Sequence, residues 1–295
     1  MRAIRDAPGA SRNDRGQGSL TAIADLHVDV VENRRFVESL RPAHDDDWLI
    51  VCGDVGETMA SVEWALATLA RAFAQVVWVP GNHELWTYPS DPVQLRGEAR
   101  YRHLVDRCRA LGIATPEDPY PVWTGAGGPA VVAPLFTLYD YSFGRNLAPT
   151  KRESLARARA AGVVCSDELV LHPDPHASVE QWCRERVRWT ERRLTETAAT
   201  GLPVVLVGHF PLVAELTAPL YRPEFAQWCG TVATADWHTR FDARAVVYGH
   251  LHIPRTTVID GVPFEEVSFG YPRERRRRVR PVDVPRRILP REAAR

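Results

Sequence analysis

The stretch QVVWVPGNHE, residues 75–84, sets the pattern for the whole chain. Gln75–Val79 is an almost wholly apolar run that reads as a buried strand, and Pro80-Gly81 stops it. The next residues are polar and compact: Asn82, His83 and Glu84. Outward from this stretch the same arrangement recurs. Leu20–Ala24 runs into Asp25-Leu26-His27, and Trp48–Cys52 runs into Gly53-Asp54. Further along, Val204–Val207 ends in Gly208-His209, and Arg244–Tyr248 ends in Gly249-His250-Leu251-His252. Helical spacing fills the gaps among the first three strands. It predicts helices over Val31–Leu40, over Ser61–Phe73 and over Gln94–Leu111, the last closed by Gly112 as a C-cap. A strand–helix alternation of this kind predicts an α/β fold with a central, largely parallel sheet at its start.

The second half is less regular. Ala130–Tyr139 reads as strand and Val179–Thr197 as a long amphipathic helix, with an irregular stretch between Val207 and Asp242. Thr256–Ile259 and Phe264–Phe269 read as strands, and Asp260-Gly261 between them is a hairpin signal. From Gly270 onward Pro and Arg dominate, and no core-building pattern is expected. The organisation read from the sequence is a flexible leader over residues 1–18, a catalytic domain over 19–270 and a basic Arg/Pro-rich tail over 271–295.

Composition bounds the function classes. The chain has 295 residues, 45% hydrophobic and 25% charged, which suits a globular protein with a sizeable core and excludes a collagen-like or wholly disordered chain. No apolar run approaches the roughly 18 residues of a membrane span. The first 18 residues carry four Arg and no apolar segment of the kind a secretory signal needs. Five cysteines without a C-x-x-C pair point to a reducing cytoplasm and not to a disulfide scaffold or structural zinc knot. Basic and acidic residues balance at 37 each, and Lys151 is the only lysine. Residues 273–295 hold ten Arg against Glu274, Asp283 and Glu292, a net +7 on a body of −7. Such a tail either steers an acidic partner or is simply solvated. Neither nucleic acid nor membrane is an expected partner, and the oligomeric state stays open.

The chemistry-bearing residues all sit at strand ends, where open α/β sheets place their ligands. Five of the ten histidines (27, 83, 209, 250 and 252) fall there, beside Asp25, Asp54 and Asn82. Two divalent cations about 3.5–4 Å apart need a bridging carboxylate and a surround of imidazole and oxygen donors. Mixed Asp, His and Asn donors suit Mn²⁺, Fe or Zn²⁺ better than Ca²⁺ or Mg²⁺. The glycines before Asp54, Asn82, His209 and His250 allow tight turns and close backbone approach. Each motif alone is weak; five in order, each closing an expected strand, are a specific signal.

In that order (D-x-H, G-D, G-N-H-E, G-H, G-H-x-H), the motifs resemble the calcineurin-like metallophosphoesterase superfamily from about Thr21 to Phe269. The resemblance implies a two-sheet β-sandwich flanked by helices, an α/β fold with a dinuclear site at one edge. It also implies that Asp25, His27, Asp54 and His252 hold one metal, and that Asp54, Asn82, His209 and His250 hold the other, with Asp54 bridging. His83 is then not a ligand but faces the substrate and protonates or stabilises the leaving oxygen. The segment after Asp54 has no Arg, unlike the protein phosphatase branch, and no DNA-binding domain is appended to the core as in the nuclease branch. Segments 45–54, 76–87, 121–130, 138–143, 223–241, 248–257 and 264–278 resemble the actinobacterial 4′-phosphopantetheinyl hydrolases, with a departure at Arg275, where Trp is expected. That branch implies a phosphodiesterase acting on holo acyl or peptidyl carrier protein, giving apo-carrier protein and 4′-phosphopantetheine. Two other readings stand beside it: a metallophosphoesterase for a small phosphodiester or phosphomonoester such as a cyclic nucleotide, and an inert scaffold.

For the substrate, the stretch Leu216–Phe241 is expected to form a lip over the metals, since it links two ligand-bearing strand ends. Tyr221, Trp228, Trp237 and His238 either grip a pantetheine chain or pack that lip onto the core. Arg255, three residues past His252, either contacts phosphate or makes a surface ion pair.

Overall fold

Each apolar run becomes a strand covered on both faces, which is why these runs lack polar alternation. A computed structural model describes residues 18–278 and 282–291. The expected leader, Gly18 apart, lies outside the described residues. In chain order the elements are β1 (Leu20–Ile23), α1 (Val31–Ser39), β2 (Trp48–Cys52), α2 (Met59–Ala72), β3 (Gln75–Val79) and α3 (Gly97–Ala110). Next come β4 (Val122–Trp123), β5 (Ala130–Pro134), α4 (Lys151–Ala160), α5 (Asp167–Val170), α6 (Val179–Ala198) and β6 (Val204–Val207). The chain closes with α7 (Trp237–Arg240), β7 (Ala243–Tyr248), β8 (Arg255–Ile259), β9 (Val262–Glu266), α8 (Pro272–Arg275) and β10 (Arg286–Leu289).

The strands form two sheets, in the orders β10-β1-β2-β3 and β4-β5-β6-β7-β9-β8. β1, β2 and β3 run parallel, as do β5, β6, β7 and β9; β10, β4 and β8 are antiparallel edges. Alternate residues of the two sheets meet in one apolar layer: Ala22 and Ala24, Ile50 and Cys52, Val77 and Val79 from the first, with Val132, Val205, Val207, Ala245 and Val247 from the second. The other face of each strand, for example Leu49 and Val51 or Val204 and Leu206, packs with the helices. This is the two-sheet sandwich flanked by helices. The sheets join at one edge, where Ala24 N–H donates to Val267 C=O and Phe269 N–H to Ala24 C=O.

Helix limits obey local chemistry. Thr58 caps α2 by accepting from Ser61 N–H, and Met59, Val62, Ala65, Leu66 and Leu69 are its buried stripe. Gly112, at φ +71, ends α3 as expected. That helix does not reach back to Gln94, because the chain enters it through Gly97 at φ +52, a turn the right-handed helix cannot continue across. The strand expected over Ala130–Tyr139 stops at Pro134, after which Leu135 N–H donates to Val207 C=O as the chain leaves the sheet. Asp260 and Gly261 both have positive φ and join β8 to β9 in the two-residue turn the sequence signalled.

The expectation that nothing beyond Gly270 builds core is overturned. β10 pairs with β1, and its Ile288 and Leu289 are buried in the layer between the sheets. The surrounding Arg and Pro hid a four-residue strand too short to carry a pattern of its own.

Candidate metal centre

The ligand-bearing loops leave the strands still hydrogen-bonded to one another. Asp25 N–H donates to Gly53 C=O, His27 N–H to Asp54 C=O, and Gly249 N–H to His209 C=O. The five loop tips therefore arrive together. Glycine is required where they touch: a Cβ on Gly81 would lie 2.1 Å from Asp54 Oδ1, and one on Gly249 would lie 2.4 Å from Asp25 Oδ2. Gly208 differs from the expectation, since its Cβ would meet nothing nearer than 3.4 Å. Asp25, His27, Asp54, His250 and His252 all adopt positive φ, between 42° and 70°. Non-glycine residues in that region cluster at functional sites.

The seven expected metal donors are all brought together. His252 Nε2 lies 3.1 Å from Asp25 Oδ1 and 3.2 Å from His27 Nε2. His209 Nε2 lies 3.2 Å from Asn82 Oδ1, 3.2 Å from His250 Nδ1 and 3.4 Å from Asp54 Oδ2. Asp25, His27 and His252 thus form one group with donor atoms within 4.8 Å of one another, and Asp54, His209 and His250 form a second. His27 and Asp54 also group with His83, so the two clusters are contiguous. All seven are buried except His252, which is partly so.

The surroundings aim the donors at one another and set their protonation. His209 Nδ1–H donates to Cys52 C=O at 2.8 Å, and His252 Nδ1–H to Glu274 Oε2 at 2.7 Å, which turns both Nε2 atoms toward the cluster. Burial opposes their protonation, but Asp54 raises His209 to about 9 and Asp25 raises His252, so a cation would take the place of a proton on each Nε2. Burial pushes His27 and His250 down to about 3, so both imidazoles are neutral near pH 7. Burial alone would protonate Asp25 and Asp54, but His252 beside the first and His209 and His83 beside the second hold both carboxylates ionised. His250 Nε2 is buried without a partner. Two anionic carboxylates, four imidazoles and an amide oxygen converging on one space fit a pair of divalent cations.

Several residues that hold this arrangement were not assigned a role from the sequence. Glu84 accepts from Asp54 N–H, Val55 N–H and Gly81 N–H at 2.9–3.0 Å, tying the second and third loops together. Arg100, fully buried, donates to Glu84 C=O and Glu57 C=O beneath them. Asp167 accepts from Asn82 Nδ2 at 2.9 Å and so turns the amide oxygen toward the cluster. Ser268 Oγ donates to Asp25 Oδ2 at 2.6 Å. Of these only Glu84 lay inside a motif. Asp167 and Glu274 are remote in sequence and sit among ordinary charged residues.

A cavity of about 810 Å³ opens over Asp54, Asn82, His83, His250 and His252. His83 lies against Trp86, its Nε2 3.6 Å from Asp54 Oδ2 and its Nδ1 3.4 Å from Glu57 Oε1. Burial opposes protonation of His83, but the carboxylates of Asp54, Glu57 and Asp167 outweigh it and raise its pKa. Of the expected lip, Leu220, Tyr221, Arg222 and Phe225 line the cavity, and Tyr221 is 90% exposed. The other expected contacts of that stretch turn inward. Trp237 is fully buried, and His238 bonds Asp260 at 2.9 Å and packs edge-on against Phe264, because α7 lies flat on β7. Trp228 is buried too, donating to Glu168 Oε1 at 2.8 Å. Arg255 opens β8 opposite Glu266 and is not part of the cavity wall. Trp237, His238, Trp228 and Arg255 therefore do not line the cavity, and of the expected substrate contacts only Tyr221 does.

A two-sheet sandwich with this donor cluster at one edge defines a class. The chain belongs to the calcineurin-like phosphoesterase family, whose profile matches residues 18–254. It is 53% identical over 272 residues to the [acyl-carrier-protein] phosphodiesterase PptH of Mycobacterium tuberculosis, covering 92% of this chain and 83% of that protein. The crystal structure of the phosphopantetheinyl hydrolase PptH from Mycobacterium tuberculosis superposes with a TM-score of 0.89 at 52% identity, over 93% of this chain and 96% of that one. No helix among the described residues is long and apolar enough to cross a membrane.

Proposed function

We propose that this chain is a metal-dependent phosphodiesterase that hydrolyses the bond between 4′-phosphopantetheine and a serine of holo acyl or peptidyl carrier protein, giving apo-carrier protein and 4′-phosphopantetheine. The observation that carries the reading is the pair of donor clusters meeting at Asp54 beneath an open cavity, in a chain more than half identical to a phosphodiesterase of carrier proteins. Asp25, His27, Asp54 and His252 would hold one divalent cation, and Asp54, Asn82, His209 and His250 the other. When bound, such a pair neutralises phosphoryl oxygens and acidifies a water. The mixed nitrogen and oxygen donors favour Mn²⁺ or Fe, with Zn²⁺ also suited.

His83 is the residue for the leaving group. A serine alkoxide needs a proton, and His83 faces the cavity with three carboxylates favouring its charged form. Asp54 and Glu57 flank the ring on either side. The cavity mouth carries Tyr221 and Val164, both largely exposed, with Arg222 and Arg273 on its rim. That combination suits an apolar arm tethered to an acidic protein. Five free cysteines fit a reducing compartment, the cytoplasm.

Intact-protein mass spectrometry of a holo-carrier incubated with the Mn²⁺-loaded protein tests the reading. Loss of the phosphopantetheine mass is expected, and prior chelation should prevent it. An unchanged carrier mass beside rapid hydrolysis of an aryl phosphodiester would overturn the carrier assignment and leave a phosphodiesterase for small molecules.

A further inference from the structure

The segment after the last motif completes the metal centre. Tyr271 stacks on the ring of His27, with centroids 4.3 Å apart and planes 13° apart. Three residues later, Glu274 Oε2 accepts from both His252 Nδ1–H at 2.7 Å and Tyr271 N–H at 3.0 Å. The segment is itself tied down. Arg275 donates to Gly270 C=O at 2.6 Å, to Asn33 Oδ1 at 2.8 Å and to Glu32 Oε1 at 2.8 Å, while its guanidinium lies 3.8 Å over the ring of Phe269. Arg278 donates to Phe269 C=O at 2.9 Å. The carboxylate of Glu274 is thus held in place on two sides, not drawn from a mobile surface.

His209 and His252 differ in what stands behind the ring. His209 has a neutral carbonyl behind it, Cys52 C=O, whereas His252 has a carboxylate. A carboxylate on the outer N–H fixes the tautomer, orients the ring and makes the inner nitrogen a stronger donor. We propose that Glu274 is a positioning residue that sets the tautomer and donor strength of His252, so that the cation site formed by Asp25, His27 and His252 depends on the segment Tyr271–Arg278 while the site at His209 and His250 does not. This rests on the two-cation reading above.

The test is calorimetric titration of the metal-free full chain with Mn²⁺ alone, followed by melting of the same metal-free samples. The parent should bind two equivalents. Glu274→Gln, close in volume, should weaken one equivalent by about 10–100-fold and leave the other unchanged. Glu274→Asp keeps the charge but withdraws it by one methylene, and should lose less. Arg276→Gln removes a charge from the same turn, from a side chain 69% exposed, and should bind as the parent does. Parent-like affinity for both equivalents in Glu274→Gln would overturn the assignment, and so would equal weakening of both, which marks general loosening. Should Glu274→Gln melt before the titration, Glu274→Asp decides on the same criterion. A parent that takes up no Mn²⁺ would instead sink the two-cation reading itself, and the parent titration alone reveals it.

Discussion

Arg100→Met is the substitution whose cost the structure defines best. Arg100 is fully buried on α3 and satisfies four acceptors: Glu84 C=O at 2.7 Å, Val93 C=O at 3.2 Å, Glu57 C=O at 3.2 Å and Asp91 Oδ2 at 2.9 Å. Methionine fills much of the same volume, so cavity formation is a small part of the effect. What is lost is charge. Asp91, itself buried, keeps only the N–H groups of Val93 and Met59. Stripping one partner from a buried ion pair costs about 3–5 kcal/mol, a large share of the roughly 5–15 kcal/mol that holds a domain together. At about 2–4 °C per kcal/mol for a chain of this size, the melting temperature should fall by roughly 6–20 °C. Asp91→Asn added to Arg100→Met should recover part of the loss, because the stranded charge goes with it. The pH dependence has a definite sign. Burial pushes the Asp91 carboxyl up, but the Val93 and Met59 N–H groups and Arg100 hold it below its ordinary value. Its contribution is therefore present above the unfolded carboxylate range and lost as pH falls through the folded value. Without Arg100 that depression shrinks, Asp91 protonates sooner, and the gap between variant and parent should narrow in acid. Differential scanning calorimetry of the three proteins between neutral pH and about pH 3, below the ordinary Asp range, measures all of this. A single variant melting within about 2 °C of the parent would refute the reasoning, since at 2–4 °C per kcal/mol that leaves no room for a stranded buried charge.

The site and its mouth give two further outcomes. Gly249→Ala puts a Cβ 2.4 Å from Asp25 Oδ2, so elemental analysis should show lost metal, while Gly208→Ala, with no contact under 3.4 Å, should keep it; equal metal in both would show that loop convergence does not depend on Gly249. Arg222→Glu with Arg273→Glu on the cavity rim should raise KM for a holo-carrier by about two- to fivefold for each charge, as exposed pairs do, with kcat and the hydrolysis of a small aryl phosphodiester little changed. Loss of both activities together would place these arginines in the chemistry and not in docking.

The parts of this protein that were legible in its sequence are those where function and local pattern coincide. β2, β3 and β6 occupy the residues the apolar runs marked, because a strand buried on both faces needs a continuous run and a sharp polar stop. The candidate metal donors sit at those stops, so finding the strands found the candidates. What could not be read is what acts across the chain. Asp167 lies 85 residues from the Asn82 it orients, and Arg100 43 residues from Glu57; neither carries a local signal. The aromatic residues of the lip misled for a related reason. Trp237 and Tyr221 look alike in sequence, but only packing against β7 decides that one is fully buried and the other 90% exposed. Composition hid the C-terminal segment most thoroughly. A run of arginines averages to a solvated tail, yet it holds Glu274 against His252, and the strand after it buries Ile288.

The positive φ values of five donors give these remote partners their physical purpose. Each such residue costs of order 1–3 kcal/mol and persists only when its surroundings over-determine it. Asp54 is held by Glu84 through its own N–H and by His83 N–H at its carboxylate. Asp25 is held by Ser268 and by His250 N–H, and His252 by Glu274. Every one of these braces comes from a residue outside the D-x-H, G-D and G-H-x-H motifs they secure, or from a different motif. In the donor cluster the carboxylates of Asp25 and Asp54 keep protons on His252 and His209, so a cation would take over the charge those protons now supply. Strain and braces therefore go together: the loops are held in the conformation that brings the seven candidate donors into one space, before any cation arrives.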